Sequence, residues 1–249
     1  MSWTHHFRVF LCDVSNCFFG GKYEKIKILY KKLLEEFTGD YKATAGYTDE
    51  NINYALTIHE GDSIPGFPSF DAFIFLLQPQ LQVLKEPINE CFTQVFGYMN
   101  MLAGKILERT FSRFPRLVDE MGKLVTKYLN KEKDKAKNII DSILEMEVSE
   151  LFTNDYEYMT NYTAYVPKSE EEKKNIPNRP TNQPVDSRTV FIKEIRNRIE
   201  AYFKLIVRNL RDVIPKIIGY NLVLAIEDNM QMELYNDLYQ NKTIIHTLD

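Results

Sequence analysis

Residues 77–102, LQPQLQVLKEPINECFTQVFGYMNML, decide the fold. Leu77, Leu81, Leu84, Ile88, Cys91, Val95, Tyr98 and Leu102 recur with gaps of four and three, which is the spacing of one helix face and not the alternation of a strand. Continued into its flanks, the stripe predicts a helix of about 40 residues, roughly 60 Å at 1.5 Å per residue. Pro79 and Pro87 lie inside it and predict kinks or a late start instead of a straight rod.

The neighbouring sequence repeats the theme. On the N-terminal side, Asp62 to Ser69 holds two prolines and a glycine, a breaker that admits neither helix nor central strand. Before it, Thr48 followed by Asp49 and Glu50 predicts a helix start, with a side-chain acceptor for the orphan N–H groups and acidic residues at the positive end of the dipole. That short helix carries Ile52, Leu56 and His59, with Gly61 placed to end it and His59 read as a packed or capping residue. Earlier still, Ile26, Leu29, Leu33 and Phe37 mark another helix that runs out near Gly39, and Phe7, Leu11, Val14 and Phe18 one that starts close to the first residue.

On the C-terminal side, Phe114-Pro115 breaks the pattern again. A third long helix is predicted through Leu117, Met121, Val125, Tyr128, Ile139, Ile143 and Met146 to Phe152. Its middle, Lys127 to Lys137, contains five lysines interleaved with Glu132 and Asp134; a solvated helix face is the plainer reading and a phosphate- or lipid-facing patch the other. Thr160 to Ser187 is rich in Pro, Asn, Lys and Glu and predicts a flexible loop. Beyond it Phe191, Ile195, Ile199, Tyr202, Ile206, Leu210 and Val213 share a face up to Pro215. Ile218, Leu222, Ile226, Met230, Leu234 and Leu238 then recur every fourth residue. Pro215 predicts a bend there and not necessarily an end.

Composition narrows the function. The chain has 249 residues, 44% hydrophobic and 27% charged, with 10 glycines and three cysteines. Glycine at about 4%, against a usual ~7%, disfavours a turn-rich β protein. Three cysteines cannot form a disulfide framework, and the expected compartment is the cytoplasm. The longest unbroken apolar run, Ala72 to Leu77, is far short of the ~20 residues that span a bilayer. A formal charge of −4 argues against nucleic acid as partner. Gly20-Gly21-Lys22 is no phosphate loop, because Asn16 stands where the earlier glycine belongs and Tyr23 where Ser or Thr belongs. His5, His6, Cys12 and Cys17 lack partners at ligand spacing. No catalytic, metal or cofactor site is expected in this chain.

Several segments, taken in order, resemble the middle or stalk region of the dynamin superfamily: Gly20-Gly21; Tyr47 to Ile52 with Ala55; Ile64-Pro65-Gly66-Phe67-Pro68-Ser69 with Phe73; Leu84-Lys85-Glu86-Pro87; Phe114-Pro115-Arg116-Leu117; and Ile143 to Glu147 with Thr153-Asn154. The last segment, from Ile199 through Tyr202-Phe203, Val207-Arg208-Asn209 and Val213 to Ile218, ending at Leu238-Tyr239, resembles the GTPase effector domain. The resemblance implies an all-α fold, an elongated antiparallel four-helix bundle with kinked helices and a long disordered loop. It assigns residues 1–159 to stalk helices one to three, 160–187 to the loop and 188–249 to the effector-domain helix, cut before the C-terminal bundle helix. The loop is too short for an inserted pleckstrin-homology domain and is similar to the short loop of Mx-like or mitochondrial-division relatives.

What the resemblance implies for function follows the family. Its members are mechanochemical GTPases that assemble through their stalks and constrict or tubulate membranes. GTP and Mg belong to a GTPase domain that this chain lacks, so the chain alone is expected not to be an enzyme. Implied partners are further copies of itself, as dimers and higher oligomers, other dynamin-related chains, and an anionic membrane surface at which it would be peripheral. Implied assembly residues are Ile218, Tyr220, Leu222 and Val223, with core packing an equal reading for Ile218 and Leu222, and Glu60, Gly61, Asp62 and Ser63 at the stalk tip. Lys168, Lys173, Lys174 and Arg179 in the loop are implied lipid contacts, diluted by Glu170 to Glu172. The rival class is a helical scaffold or adaptor, or a partial gene product, with no membrane work of its own.

Overall fold

A computed structural model describes residues 23–38, 46–59, 70–163 and 187–240. Among them there is no strand: the elements are α1 (Tyr23–Thr38), α2 (Asp49–Ile58), α3 (Phe70–Val83), α4 (Lys85–Phe111), α5 (Pro115–Ser149), α6 (Tyr156–Thr163), α7 (Ser187–Ile217), a π-helical segment (Ile218–Leu224) and α8 (Ala225–Gln240). The all-α class is thereby established. The described residues divide into two units. The first takes 23–38, 86–144 and 211–240, the second 46–59, 70–85, 145–163 and 187–210.

The first unit is built on α1, α4, most of α5, the end of α7 and α8. Ile88, Val95 and Met99 of α4, Leu129 and Ile140 of α5, and Ile26 and Leu33 of α1 are all buried. Each such side chain contributes about 1.5–3 kcal/mol through the apolar surface it removes from water. The stripe that opened the reading is real: of its eight members only Tyr98 is not fully buried. It does not lie on one continuous helix. Leu84 turns the chain, with its N–H on the carbonyl of Leu81 at 3.2 Å, and α3 and α4 are separate elements. Pro87 explains the place: it has no N–H for the carbonyl of Val83 and its ring crowds that carbonyl, so the helix restarts with Pro87 in its first turn. Pro79 is accommodated inside α3.

The predicted face of α5 needs a correction. Ile139, Met146 and Phe152 are exposed, whereas Leu129, Glu132, Ala136, Ile140 and Leu144 are buried. The lysine-rich middle offers few large apolar residues to track, and across it the two residue sets, three turns apart, differ by one position. Glu132, the one buried charged side chain among the described residues, accepts from Lys135 at 2.7 Å, which is how a carboxylate is tolerated in an apolar stripe.

In the second unit, α2 packs on α3. The predicted start of α2 is a full capping box: Asn51 N–H donates to Thr48 Oγ1 at 3.2 Å, and Thr48 N–H to Asn51 Oδ1 at 3.1 Å. The helix ends at Ile58 with His59 at its C-cap, earlier than the glycine expected to end it. The His59 ring lies 5.1 Å from that of Phe75, so the capping and packing readings are both right. Residues 160–163, expected as the start of a loop, are the end of α6; the rest of that stretch, to 186, lies outside the described residues. The segment before Tyr23, with His5, His6, Cys12 and Cys17, lies outside the described residues.

Candidate self-assembly surface

Ile214, Ile218, Leu222, Ile226, Met230 and Leu234 step by four, and all six are at most 1% exposed. In an α-helix each step of four overshoots a turn by about 40°, so five steps would swing the last residue roughly 200° from the first. They share a core because the backbone widens into π geometry between Ile218 and Leu224. The Ala225 N–H reaches the carbonyl of Tyr220, five residues back, as well as that of Leu222. Pro215, three residues ahead, has already removed one N–H from the ladder.

This segment contains four of the implied assembly residues, and it separates them. Ile218, Leu222 and Val223 are buried inside the chain at 0, 0 and 3% exposure. Tyr220 points outward at 69%. The same four-residue step carries the outer face onward through Asp228 to Met232, which is 61% exposed. Tyr220 and Met232 are thus apolar groups presented to solvent by a helix whose opposite side is locked. Glu60, Gly61, Asp62 and Ser63, and Lys168, Lys173, Lys174 and Arg179, lie outside the described residues.

The locking is specific. Tyr128 of α5 donates its hydroxyl to the carbonyl of Ala225 at 3.1 Å. Lys131 pairs with Glu233 at 2.9 Å and Lys127 with Asp237 at 3.5 Å. Burial, and then the charges of Glu132 and Glu233, push the Tyr128 hydroxyl well above the usual tyrosine range. The hydrogen bond from Lys131 holds the Glu233 carboxyl below its ordinary value. Lys133 sits 5.0 Å from the centre of the Phe96 ring, and Lys137 pairs with Asp141. Each of the five lysines of the run has a partner within its own unit, although Lys127, Lys131 and Lys135 stay largely exposed. Exposed ion pairs contribute little free energy, but their order sets register. The signal for this pairing lies in the matching steps of four, 127 to 131 and 233 to 237, on two antiparallel helices.

The second unit uses arginines of α7 for the same purpose. Arg188 donates to Asn53 Oδ1 at 2.6 Å and to Thr57 at 2.5 Å, and Arg196 to the Tyr47 carbonyl at 2.9 Å and to Asp49 at 2.7 Å. Arg208 reaches Asp155 and, at 3.1 Å, Glu157. Between them Tyr202 stands edge-on to Phe73 and Tyr158. Its hydroxyl is pushed up to about 12, first by burial and then by Glu147 and Tyr158. Among the described residues no group of three or more His, Cys, Asp or Glu side chains is placed to hold a metal ion, and no helix is long and apolar enough to cross a membrane.

Described residues that are all helical, with the long α5 bound by the C-terminal α8, define a class, and comparison with known proteins supplies the family. The dynamin central region matches residues 20–166 and the dynamin GTPase effector domain residues 187–249. The chain belongs to the dynamin family. Among its relatives are the interferon-induced GTP-binding protein Mx3 of Oncorhynchus mykiss, 20% identical over 87% of the chain, and MxB of Danio rerio, 22% identical over 86%. The vacuolar protein sorting-associated protein 1 of Schizosaccharomyces pombe is 22% identical over 78%. The matched part makes up 36% of each of these proteins, so the chain spans about a third of their length.

Proposed function

We propose that this chain is the stalk and effector-domain assembly module of a dynamin-related large GTPase, that it self-associates, and that in the whole protein it relays the GTPase cycle to the shape of a membrane. On this reading GTP and Mg2+ are handled by a GTPase domain outside the chain. The observation that carries the reading is that, in each unit, helices matching the central region are tied by side chains to helices matching the effector domain: Tyr128, Lys127 and Lys131 to α8, and Arg188, Arg196 and Arg208 of α7 to α2 and the start of α6. Two segments that match separately fold on each other, as a module that transmits force requires. The exposed Tyr220, on a backbone held from behind, is the contact best placed for a second copy.

Sedimentation velocity over a range of concentrations tests the assembly half of the proposal. The average mass should rise with concentration, and Tyr220→Asp, which places a charge on a solvent-facing position, should suppress the rise without changing helicity. A chain that stays monomeric at every concentration overturns it. Co-sedimentation with anionic liposomes tests the membrane half: replacing Lys168, Lys173, Lys174 and Arg179 together by Ser should reduce pelleting, and pelleting unaffected by the change removes the loop from the reading.

A further inference from the structure

In the second unit the junction between α5 and α6 presents two aromatic side chains to solvent. Phe152 is 76% exposed and Tyr156 83%, the two largest exposures of any big apolar side chain among the described residues. They stand four residues apart, one shortly before α6 and one at its first position. Single apolar groups scattered over a surface are ordinary, whereas large rings set out together mark a contact surface.

The backbone beneath the rings is tied down. The Tyr202 hydroxyl of α7 donates to the carbonyl of Phe152 at 3.4 Å. The Asp155 N–H donates to Thr153 Oγ1 at 3.0 Å, and the Tyr158 N–H to Asp155 Oδ1 at 2.9 Å, which caps the start of α6. Arg208 of α7 holds both Asp155 and Glu157, and the Tyr158 ring stands edge-on to that of Tyr202. A segment fixed in this way has little backbone freedom left to lose when a partner binds to Phe152 and Tyr156.

The charge beside the rings has one sign. Glu147 lies in the last turn of α5 and Glu150 directly after it, and neither makes an ion pair with a described residue. The last turn of α5 holds no basic residue, and the partial negative charge of a helix C-terminus adds to that of the carboxylates. Glu147 is close enough to Tyr202 for its charge to act on that hydroxyl, the same group that holds the Phe152 carbonyl. The acids and the first ring therefore flank one side chain.

We propose that the α5–α6 junction docks a basic amphipathic helix of a partner protein, with the apolar stripe of that helix on Phe152 and Tyr156 and its lysines or arginines on Glu147 and Glu150. The partner helix covers rings that now face water and brings the cations that the end of α5 lacks, so each half of the contact reinforces the other. This surface is separate from the assembly contact at Tyr220 in the first unit and does not depend on it.

Isothermal titration calorimetry on the full chain tests the proposal with a synthetic peptide of leucine and lysine whose leucines fall at steps of three and four. Saturable binding at one site per chain is expected. A peptide of the same composition with its leucines scattered, and an amphipathic one of leucine and glutamate, should each bind weaker by about tenfold or more, since each forfeits one half of the contact. Phe152→Ser and Tyr156→Ser should each weaken the leucine–lysine peptide by about tenfold, and Glu147→Gln with Glu150→Gln should weaken it too, all with unchanged helicity. Tyr54→Ser removes a ring of comparable exposure, 64%, from α2 and should leave binding as in the parent, which separates a docking surface from general adhesion to exposed rings. Absence of saturable binding, equal binding of the scattered peptide, a Tyr156→Ser chain that binds like the parent, or a Tyr54→Ser chain that loses as much would each overturn the proposal. Sedimentation velocity without peptide tests a second copy as the occupant. An average mass unchanged by Phe152→Ser and Tyr156→Ser supports a different partner, and a mass lowered by them, as Tyr220→Asp should lower it, overturns that assignment.

Discussion

The hydroxyl of Tyr128 on α5 donates to the main-chain carbonyl of Ala225 at 3.1 Å, where the π-helical segment gives way to α8. The widened backbone leaves its carbonyls and amides in altered register, and Tyr128 fastens one of them to a helix from the other family segment. The same carbonyl accepts from Asn229 Nδ2 at 3.1 Å, so the junction is held from two sides.

Tyr128→Phe should therefore destabilise the chain modestly, by about 1 kcal/mol, since the ring keeps its packing and the carbonyl keeps one donor. Urea unfolding checks this. The midpoint should fall with an unchanged slope, and hydrogen exchange should speed up around Ala225 more than in the second unit.

The π segment absorbs a residue that a regular helix could not. Deleting Gly219, a partly exposed position within it, should let the turn revert to α geometry with the stripe from Ile226 to Leu234 still facing the core. The deletion variant should keep its helical circular dichroism. Inserting one alanine after Met230 turns everything beyond it by about 100° and should lower the melting temperature sharply.

Gly97 is an exposed residue inside α4, and a methyl group built on it meets nothing within 4 Å. Gly97→Ala should stabilise the chain by about 0.5–1 kcal/mol through the lost flexibility of glycine. Thermal melting reads this directly, and the same melt followed by sedimentation velocity shows whether the added methyl disturbs assembly.

Burial holds the Glu147 carboxyl above its ordinary value. An acid whose folded value is raised is harder to ionise in the folded chain than in the unfolded one. Its contribution is therefore fully favourable below the unfolded value and is lost as pH rises through the raised one. Glu147→Gln should melt higher than the parent at about pH 7 and match it at about pH 3, where the carboxyl is protonated in both states. Tyr202 shifts the same way at the alkaline end. As pH rises from about 10 towards 12, ionisation of its buried hydroxyl should weaken the second unit, and Tyr202→Phe should remove that step from the tyrosinate absorbance titration.

How far the fold was legible depended on what each element borrows from others. The capping box at Thr48 was readable because its donors and acceptors lie within four residues. The stripe from Leu77 to Leu102 was readable because periodicity is local. Its division at Leu84 was half-visible through Pro87, which rules out a carbonyl partner without saying how the chain turns. On α5 the apolar signal thinned across the lysines, and only packing could decide between Ile139 and Ile140. At the assembly surface the resemblance grouped Ile218, Tyr220, Leu222 and Val223, and the fold then set three inward and one outward.

By itself the sequence determined the helical class, the capped start at Thr48, the break before Pro115 and the family, because these rest on spacing, caps, prolines and motif order within short stretches. Only the tertiary structure decided that the four-residue repeat after Pro215 runs through a widened helix between Ile218 and Leu224, and that Lys127 and Lys131 of α5 answer Asp237 and Glu233 of α8. Those are contacts between residues far apart in the chain. A side chain's partner there is chosen by packing, which no local pattern encodes.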